Sequence, residues 1–188
     1  NLLYYLCLAA AIQRAGGPVP TMIIGTLPVV VAVVVNPRQA PGGGGLSFVA
    51  AADLAIVSDN SRFLAAQIKL GAIPDSCLGY NLVRSIGLKR AKQISLMGEI
   101  FGAQEAKEIG LVNWVVPDAE LEERTEKLVA KIARIPSVAM GRTKAELNFA
   151  YNRTLADHIV QEALDVGACV SEQAYIDSVN AFMNRARG

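Results

Sequence analysis

The sequence GGGGLSFVAAADLAIVSDNSRFLAAQIKLGAIPD, residues 42–75, decides how the rest of the chain is interpreted. Four glycines open directly onto an apolar, alanine-rich run, and the stretch ends in a Gly-x-x-Pro-Asp turn. A glycine turn that leads into a helix exposes backbone N–H groups at the positive end of the helix, where negative charge is stabilised. The pattern therefore predicts an anion-stabilising helix start, with the carboxylate of Asp75 later in the same stretch.

The composition is that of a globular protein with no general attraction to polyanions. The chain has 188 residues, of which 52% are hydrophobic and 19% charged, and its formal net charge is +1. This balance argues against nucleic-acid and membrane partners. The three cysteines, Cys7, Cys77 and Cys169, match no disulfide framework or zinc spacing, so we expect a cytoplasmic protein.

The N-terminal third is unusually poor in charge. Only four of the first 60 residues are charged, and the chain begins at Asn1. We expect that an N-terminal portion of the protein precedes this sequence. The uncharged residues 15–36 are interrupted by glycines and prolines and end in a β-branched run, which favours a buried parallel strand over a membrane span.

The apolar pattern predicts an α/β core followed by helices. The predicted strands cover 28–35, 54–58, 62–65, 99–101 and 111–116, and the predicted helices of the core cover 2–14, 45–52, 76–86, 89–97 and 104–109. Asp75 is well placed as the N-cap of the helix that begins at residue 76. Beyond Pro117 the chain predicts four amphipathic helices over 119–134, 138–151, 154–170 and 172–186. The predicted regions are therefore a core over 1–117 and a helical region over 118–188.

Several common chemistries lack their motifs. No Gly-Lys-Ser/Thr follows the glycines, which excludes a P-loop, and Ser47 stands where the dinucleotide fingerprint needs its third glycine. The one histidine, His158, falls in a polar C-terminal helix, where a surface position is the favoured interpretation. The sequence thus gives little support to a Ser-His-Asp triad or a metal site.

These motifs resemble the crotonase, or enoyl-CoA hydratase/isomerase, superfamily. The resemblance is carried by PVVVAVVVN at 28–36, the glycine loop, LSFVAAADLAIVSDNSRF at 46–63, GAIPD at 71–75 and LMGEIFGAQEAKEIGLVNWVV at 96–116. It implies a spiral of ββα units with a C-terminal helical trimerisation segment, and an assembly as a homotrimer or a dimer of trimers. It also implies an acyl-CoA thioester substrate, with coenzyme A as part of the substrate and no separate cofactor.

The resemblance also implies roles for individual residues. Gly44 matches the second backbone N–H donor of an oxyanion hole that stabilises a thioester enolate, with Gly43 beside it at the substrate; the first donor is expected in the N-terminal portion. Ser47 and Gln67 stand where the hydratases of the family carry two glutamates. Phe182 and Arg185 match a C-terminal position that contacts CoA, although core packing is an alternative for Phe182.

Asp75 decides which reaction we expect. It occupies the position at which isomerases of the family place an aspartate, and FLAAQIKLGAIPDS is most similar to the phenylacetyl-CoA-pathway isomerase type. One buried carboxylate can remove a proton from one carbon and return it two carbons away, which suffices for double-bond isomerisation.

Three alternatives to the isomerase stay open. A hydratase would use Asp75 and a water held by Ser47 or Gln67, and a non-catalytic binding protein of the same fold would explain the two replaced glutamates. A chlorobenzoyl-CoA dehalogenase is disfavoured, because it needs a supporting tryptophan and histidine and the sequence offers only Trp114 and His158, both far from Asp75 in sequence.

Overall fold

The computed structural model describes residues 30–33 and 44–185, which fall into two compact units. The described part of the first unit comprises residues 30–33 and 44–131, and that of the second comprises residues 132–185. The helix predicted over 2–14, the ends of the strand predicted over 28–35 and Gly43 lie outside the described residues. No helix in the described ranges is long and apolar enough to span a membrane.

The first unit alternates strands and helices. In chain order its elements are β1 (Val30–Val33), α1 (Gly44–Ala51), β2 (Leu54–Ser58), β3 (Arg62–Phe63), a 3-10 helix (Ala66–Leu70), α2 (Leu78–Met97), β4 (Phe101–Gly102), α3 (Ala103–Glu108), β5 (Trp114–Val116), a second 3-10 helix (Asp118–Glu120) and α4 (Leu121–Ile132). The predicted α/β class is therefore confirmed, and most boundaries differ from the predicted ones by one to three residues.

A parallel three-stranded sheet is the centre of this unit. Its strand order is β1-β2-β5, with Val31 opposite Ala55 and Val57 opposite Val115. Because the strands are parallel, each connection must cross over the sheet, and helix α1 makes the crossover from β1 to β2. Strands β3 and β4 form a separate antiparallel pair, in which Phe63 lies opposite Phe101 with ring centroids 5.4 Å apart.

Opposite faces of the sheet carry two different clusters. Ala55 and Val57 belong to the larger core, together with Leu46 of α1 and with Leu78 and Leu82 of α2, which are all fully buried or nearly so. Burying one such leucine contributes about 1.5–3 kcal/mol to folding, so this cluster dominates the stability of the unit. It fixes the sheet, α1 and the start of α2 relative to one another.

The other face of the sheet packs against α4. Ile56 and Val116 are buried there with Leu121, and Leu128 packs against them. Residues 118–131, which the sequence groups with the C-terminal helices, therefore share a hydrophobic cluster with the sheet. Glu123 and Lys127 form an ion pair along the exposed side of this helix.

Helix α2 begins later than predicted. Its N-cap is Cys77, which has φ 60° and makes no side-chain capping hydrogen bond, so the predicted capping role of Asp75 is wrong. Ser76 also has a positive φ, 53°, and the two residues form a left-handed turn that delays the helix to Leu78. Gly87, with φ 75° and ψ 162°, breaks the helix into the two predicted segments, a conformation that only glycine adopts readily.

The second unit consists of helices. They are α5 (Ser137–Phe149), α6 (Leu155–Val170) and α7 (Gln173–Arg185), with a 3-10 helix (Ala150–Asn152) between α5 and α6. With α4, they confirm the four helices predicted after Pro117. Thr154 caps α6 by accepting a 3.2 Å hydrogen bond from the backbone N–H of Asp157. Arg142 of α5 forms an ion pair with the buried Asp165 of α6, which ties the two helices together.

Candidate functional site

The glycine-rich start of α1 lies where the sequence predicts an anion-stabilising group. Gly44 is the first residue of the helix, and the first turn contains no acidic side chain. The first N–H groups of an α-helix have no acceptor within the helix and carry its positive dipole end. The N–H of Gly44 therefore belongs to the class of donors from which oxyanion holes are built, and its predicted role in such a hole stays a prediction.

Ser47 lies three residues further along the same helix. Its side chain is buried, with 4% of its surface exposed, and its neighbours Leu46 and Val49 belong to the main core. A hydroxyl in this position is not a general base near neutral pH. Ser47 therefore lines the interior beside the helix start without supplying the proton-transfer group that a glutamate would supply there.

Gln67 and Asp75 are in direct contact. The side-chain amide Nε2 of Gln67 donates a 3.3 Å hydrogen bond to Oδ1 of Asp75, while the amide Oε1 is buried and has no hydrogen-bond partner among the described residues. Sequence reasoning selected both residues but did not foresee that they meet. Gln67 and Asp75 are eight residues apart, and Gly71 and Pro74 lie between them. Because both of these residue types favour turns, the sequence did contain a signal that the chain reverses here.

A tight turn brings the two side chains together. Gly71 takes the left-handed conformation, with φ 71°, and its N–H donates to the carbonyl of Ile68. The next N–H, of Ala72, donates a 3.0 Å hydrogen bond to the carbonyl of Gln67 itself. Because these bonds close the end of the 3-10 helix, the chain reverses and returns Asp75 to the side chain of Gln67.

Asp75 is exposed, so the predicted burial of this carboxylate is wrong for the described residues. The strained left-handed pair Ser76 and Cys77 follows it at once, and residues held in this region cost about 1–3 kcal/mol each. Leu78, the next residue, is fully buried, and its N–H donates to the carbonyl of Asp75. The strained turn thus connects an exposed carboxylate directly to the core.

The 3-10 helix that carries Gln67 is positioned by a close contact from the end of α2. Gly98 is buried there with φ 56°, and a Cβ at this residue would lie 2.8 Å from Cγ2 of Ile68 and 3.3 Å from the carbonyl oxygen of Ala65. Real Cβ atoms do not approach other heavy atoms at 2.8 Å, so only glycine fits without movement. The sequence predicts no role for Gly98.

The chemistry of the site follows from these three side chains. A glutamine amide neither gives nor takes a proton near neutral pH, and a serine hydroxyl does so only with an activating partner. A carboxylate can act as a general base, and this one accepts a hydrogen bond from the side-chain amide of Gln67. Among Ser47, Gln67 and Asp75, the side chain equipped for proton transfer is that of Asp75.

The remaining candidates lie elsewhere. Phe182 and Arg185 are both on α7 in the second unit. Phe182 is 71% exposed among the described residues, so the alternative that it packs in the core is wrong. Their contact with CoA stays a prediction. Trp114 lies on β5 of the first unit and His158 on α6 of the second.

His158 is less exposed than the sequence predicts. It is half-buried, and its Nε2 lies 3.2 Å from Oε1 of Glu146 on the neighbouring helix α5. With Glu162 these residues place potential ligand atoms within 4.8 Å of one another, in the one such group found among residues 30–33 and 44–185. The hydrogen bond between His158 and Glu146 links helices α5 and α6, and this structural role explains why the two side chains lie close together.

The chain is similar to proteins of one known family. Residues 20–187 match the enoyl-CoA hydratase/isomerase family. A probable enoyl-CoA hydratase of Rhodobacter capsulatus is 30% identical over 85% of this chain and 60% of its own length. A 4-chlorobenzoyl coenzyme A dehalogenase of Arthrobacter is 29% identical over 76% of the chain and 52% of its own, and the 1,2-epoxyphenylacetyl-CoA isomerase of Escherichia coli is 30% identical over 75% and 54%.

A solved structure agrees with these matches. The structure of a putative enoyl-CoA hydratase from Thermobifida fusca in complex with CoA superposes with a TM-score of 0.73 at 29% identity, covering 80% of this chain and 57% of that one. The chain therefore spans between half and two thirds of the length of these relatives. On the family match, the fold and the glycine-led site, this chain belongs to the enoyl-CoA hydratase/isomerase, or crotonase, family.

Proposed function

We propose that the chain carries the catalytic part of an enoyl-CoA isomerase, in which Asp75 moves the proton and the N–H of Gly44 stabilises the thioester oxyanion. The observation that supports it most directly is the hydrogen bond from the Gln67 amide to the Asp75 carboxylate. It orients the one proton-accepting side chain of the site. The amide that holds it stands where hydratases of the family carry a glutamate.

The proposed reaction is a 1,3 proton shift. Asp75 takes a proton from a carbon in conjugation with the thioester, and the electron pair moves onto the thioester oxygen to give an enolate. The N–H of Gly44, at the positive end of α1, donates to that oxygen. Asp75 then returns the proton two carbons away, so the carboxylate is regenerated and no water is consumed.

Replacement of one side chain tests the isomerase directly. Asp75→Asn keeps the shape and the exposed position but removes the basic oxygen, and we expect isomerisation to fall by about 10²–10⁴-fold while acyl-CoA binding persists. Asp59→Asn changes another exposed aspartate of the first unit and is the matched control. Isomerisation that continues at the original rate in Asp75→Asn would rule out Asp75 as the proton carrier.

A hydratase is the second candidate, because Gln67 Oε1 is buried without a partner among the described residues. Such an acceptor is suited to hold a water molecule beside the carboxylate that would activate it. The two reactions differ in their atoms, since hydration adds a solvent oxygen to the product and isomerisation does not. Mass spectrometry of the product formed in ¹⁸O-labelled water distinguishes them.

The substrate and the assembly complete the proposal. We propose an acyl-CoA thioester, with Gly43, Ser47 and Gln67 near the acyl group and with Phe182 and Arg185 at the CoA moiety. The solved relative that binds CoA supports this class of substrate. Coenzyme A would enter as part of the substrate, with no separate cofactor. A homotrimer or a dimer of trimers, in the cytoplasm, stays a prediction that sedimentation and fractionation test.

A further inference from the structure

A cavity lies on the face of the sheet opposite α1. Its volume is about 250 Å³. Ile56, Trp114 and Val116 of the strands form one side, and Leu128 of α4 with the cations Arg124, Lys127 and Lys131 forms the other. Ile56 and Trp114 are opposite each other in the parallel register, so both belong to this face. Because Ala55 and Val57 point into the core with α1, the sheet separates this cavity from the site of Ser47.

The helix side of the cavity is cationic. Arg124, Lys127 and Lys131 recur at intervals of three and four residues, which places them along one face of α4. No carboxylate is among the described residues that line the cavity. Glu123, next to Arg124, binds Lys127. The hydrogen bond from Lys127 is the main cause of the lowered pKa of Glu123, and the charge of Arg124 adds to it.

The strand side of the cavity is apolar and aromatic. Trp114 is 37% exposed although it belongs to a strand of the central sheet, and Ile56 and Val116 beside it are buried. A partly exposed indole can stack on a planar ring of a ligand. Stacking of this kind is favourable for many ring types, because every aromatic ring has a π-face. The cations beside this apolar surface attract an anionic group and repel a cationic one. A ligand that fits the cavity should therefore carry both a planar ring and a negative charge.

We propose that this cavity binds a small anion that carries a planar ring, with the ring against Trp114 and the anionic group at Arg124 and Lys131. An aryl carboxylate and a nucleoside monophosphate share this chemistry. The volume of about 250 Å³ lies just below the usual range for ligand pockets, about 300–1,000 Å³, and so suits one ring system with one anionic group. This site is independent of the proposed isomerase.

The chain contains its own reporter for this proposal, because Trp114 is its single tryptophan. Fluorescence of the full chain, excited at the red edge of tryptophan absorption, is titrated with benzoate and with AMP. The neutral analogues benzamide and adenosine test the need for charge, and pyrophosphate tests the need for a ring. We expect a saturable change with benzoate, AMP or both, and binding at least about tenfold weaker for the neutral ring and for pyrophosphate.

Two variants connect the signal to the cavity. The double variant Arg124→Gln/Lys131→Gln should weaken binding of the ring anion by about tenfold or more, and Lys107→Gln, on the exposed side of α3, should leave it unchanged. Calorimetry with the same ligands checks the fluorescence, and circular dichroism checks that the double variant is folded. The proposal is overturned if neither anion binds, if a neutral ring or pyrophosphate binds as tightly, or if the folded double variant binds as the original chain does.

Discussion

Replacing Gly44 by proline removes one backbone donor from the proposed oxyanion hole. Gly44 is the first residue of α1. The first position of a helix accepts proline, because its N–H has no acceptor within the helix and proline is pre-organised for helical φ. The residue before it is also a glycine, which tolerates the restriction that proline places on its neighbour. The change therefore removes a donor while the helix is kept.

The expected size of the effect follows from this position. A lost oxyanion donor costs about 2.7–4 kcal/mol in the transition state, which corresponds to a fall in kcat of about 10²–10³-fold. The free energy of unfolding should change by less than about 1 kcal/mol, because no helical hydrogen bond is lost and proline restricts the unfolded chain. The effect on kcat should thus greatly exceed the effect on stability.

The assay compares kcat for isomerisation with the midpoint of urea unfolding. Gly44→Ala is the matched control, since it adds a Cβ as proline does but keeps the N–H, and it should retain most of the activity. Unchanged activity in the proline variant would show that the N–H of Gly44 does not stabilise the oxyanion. Equal loss in both would assign the effect to the side chain instead.

Two further predictions concern packing and charge. Gly98→Ala should destabilise the chain by at least about 1–2 kcal/mol, because alanine is strained at φ 56° and its Cβ meets Ile68. Gly79→Ala is the control, because its Cβ meets nothing within 4 Å, and it should not destabilise the chain. Urea unfolding measures both variants, and equal midpoints would contradict the close packing at Gly98. Lys127→Gln should raise the pKa of Glu123 toward its ordinary value, because Lys127 lowers it by a hydrogen bond and by its charge. A carboxylate whose pKa is lowered by folding stabilises the folded state above its unfolded-state pKa. The small contribution of this pair should therefore be lost as the pH falls through the folded-state pKa of Glu123. NMR titration of the Glu123 carboxyl checks the direction of the change, and an identical titration in the variant would contradict it.

The elements with a clear apolar pattern could be predicted from the sequence. Helix α1 and strand β2 follow from an unbroken apolar run divided at Asp53, and both agree with the predicted bounds within one residue. Beyond Pro117, α4, α6 and α7 follow from their amphipathic period, whereas α5 has no such period and follows only from the breaker Pro136 that precedes it. In α1 and β2 local pattern and tertiary burial favour the same structure, so the pattern suffices there.

The start of α2 shows why the rest could not be predicted. An aspartate followed by a serine favours an N-cap, yet Ser76 and Cys77 take left-handed conformations that neither residue type prefers. The buried Leu78 and the contact of Asp75 with Gln67 determine the path there, and both depend on tertiary structure. Local propensity alone therefore placed the helix start two residues too early.

The cavity at Trp114 was missed for a related reason. The three cations of α4 are visible in the sequence at helical spacing, but their opposite wall is not. That wall depends on the parallel register of β2 and β5, which brings Ile56 beside Trp114 from 58 residues away. Only pairing between distant strands shows that the three cations of α4 border an aromatic and apolar floor.

The close contact at Gly98 has a consequence for how the site responds to its surroundings. Ile68, next to Gln67, is held by van der Waals exclusion against the end of α2, without a charged partner. Contacts of this kind do not weaken with ionic strength, since they depend on excluded volume rather than on screened charge. The position of the 3-10 helix that carries Gln67 should therefore withstand concentrated salt.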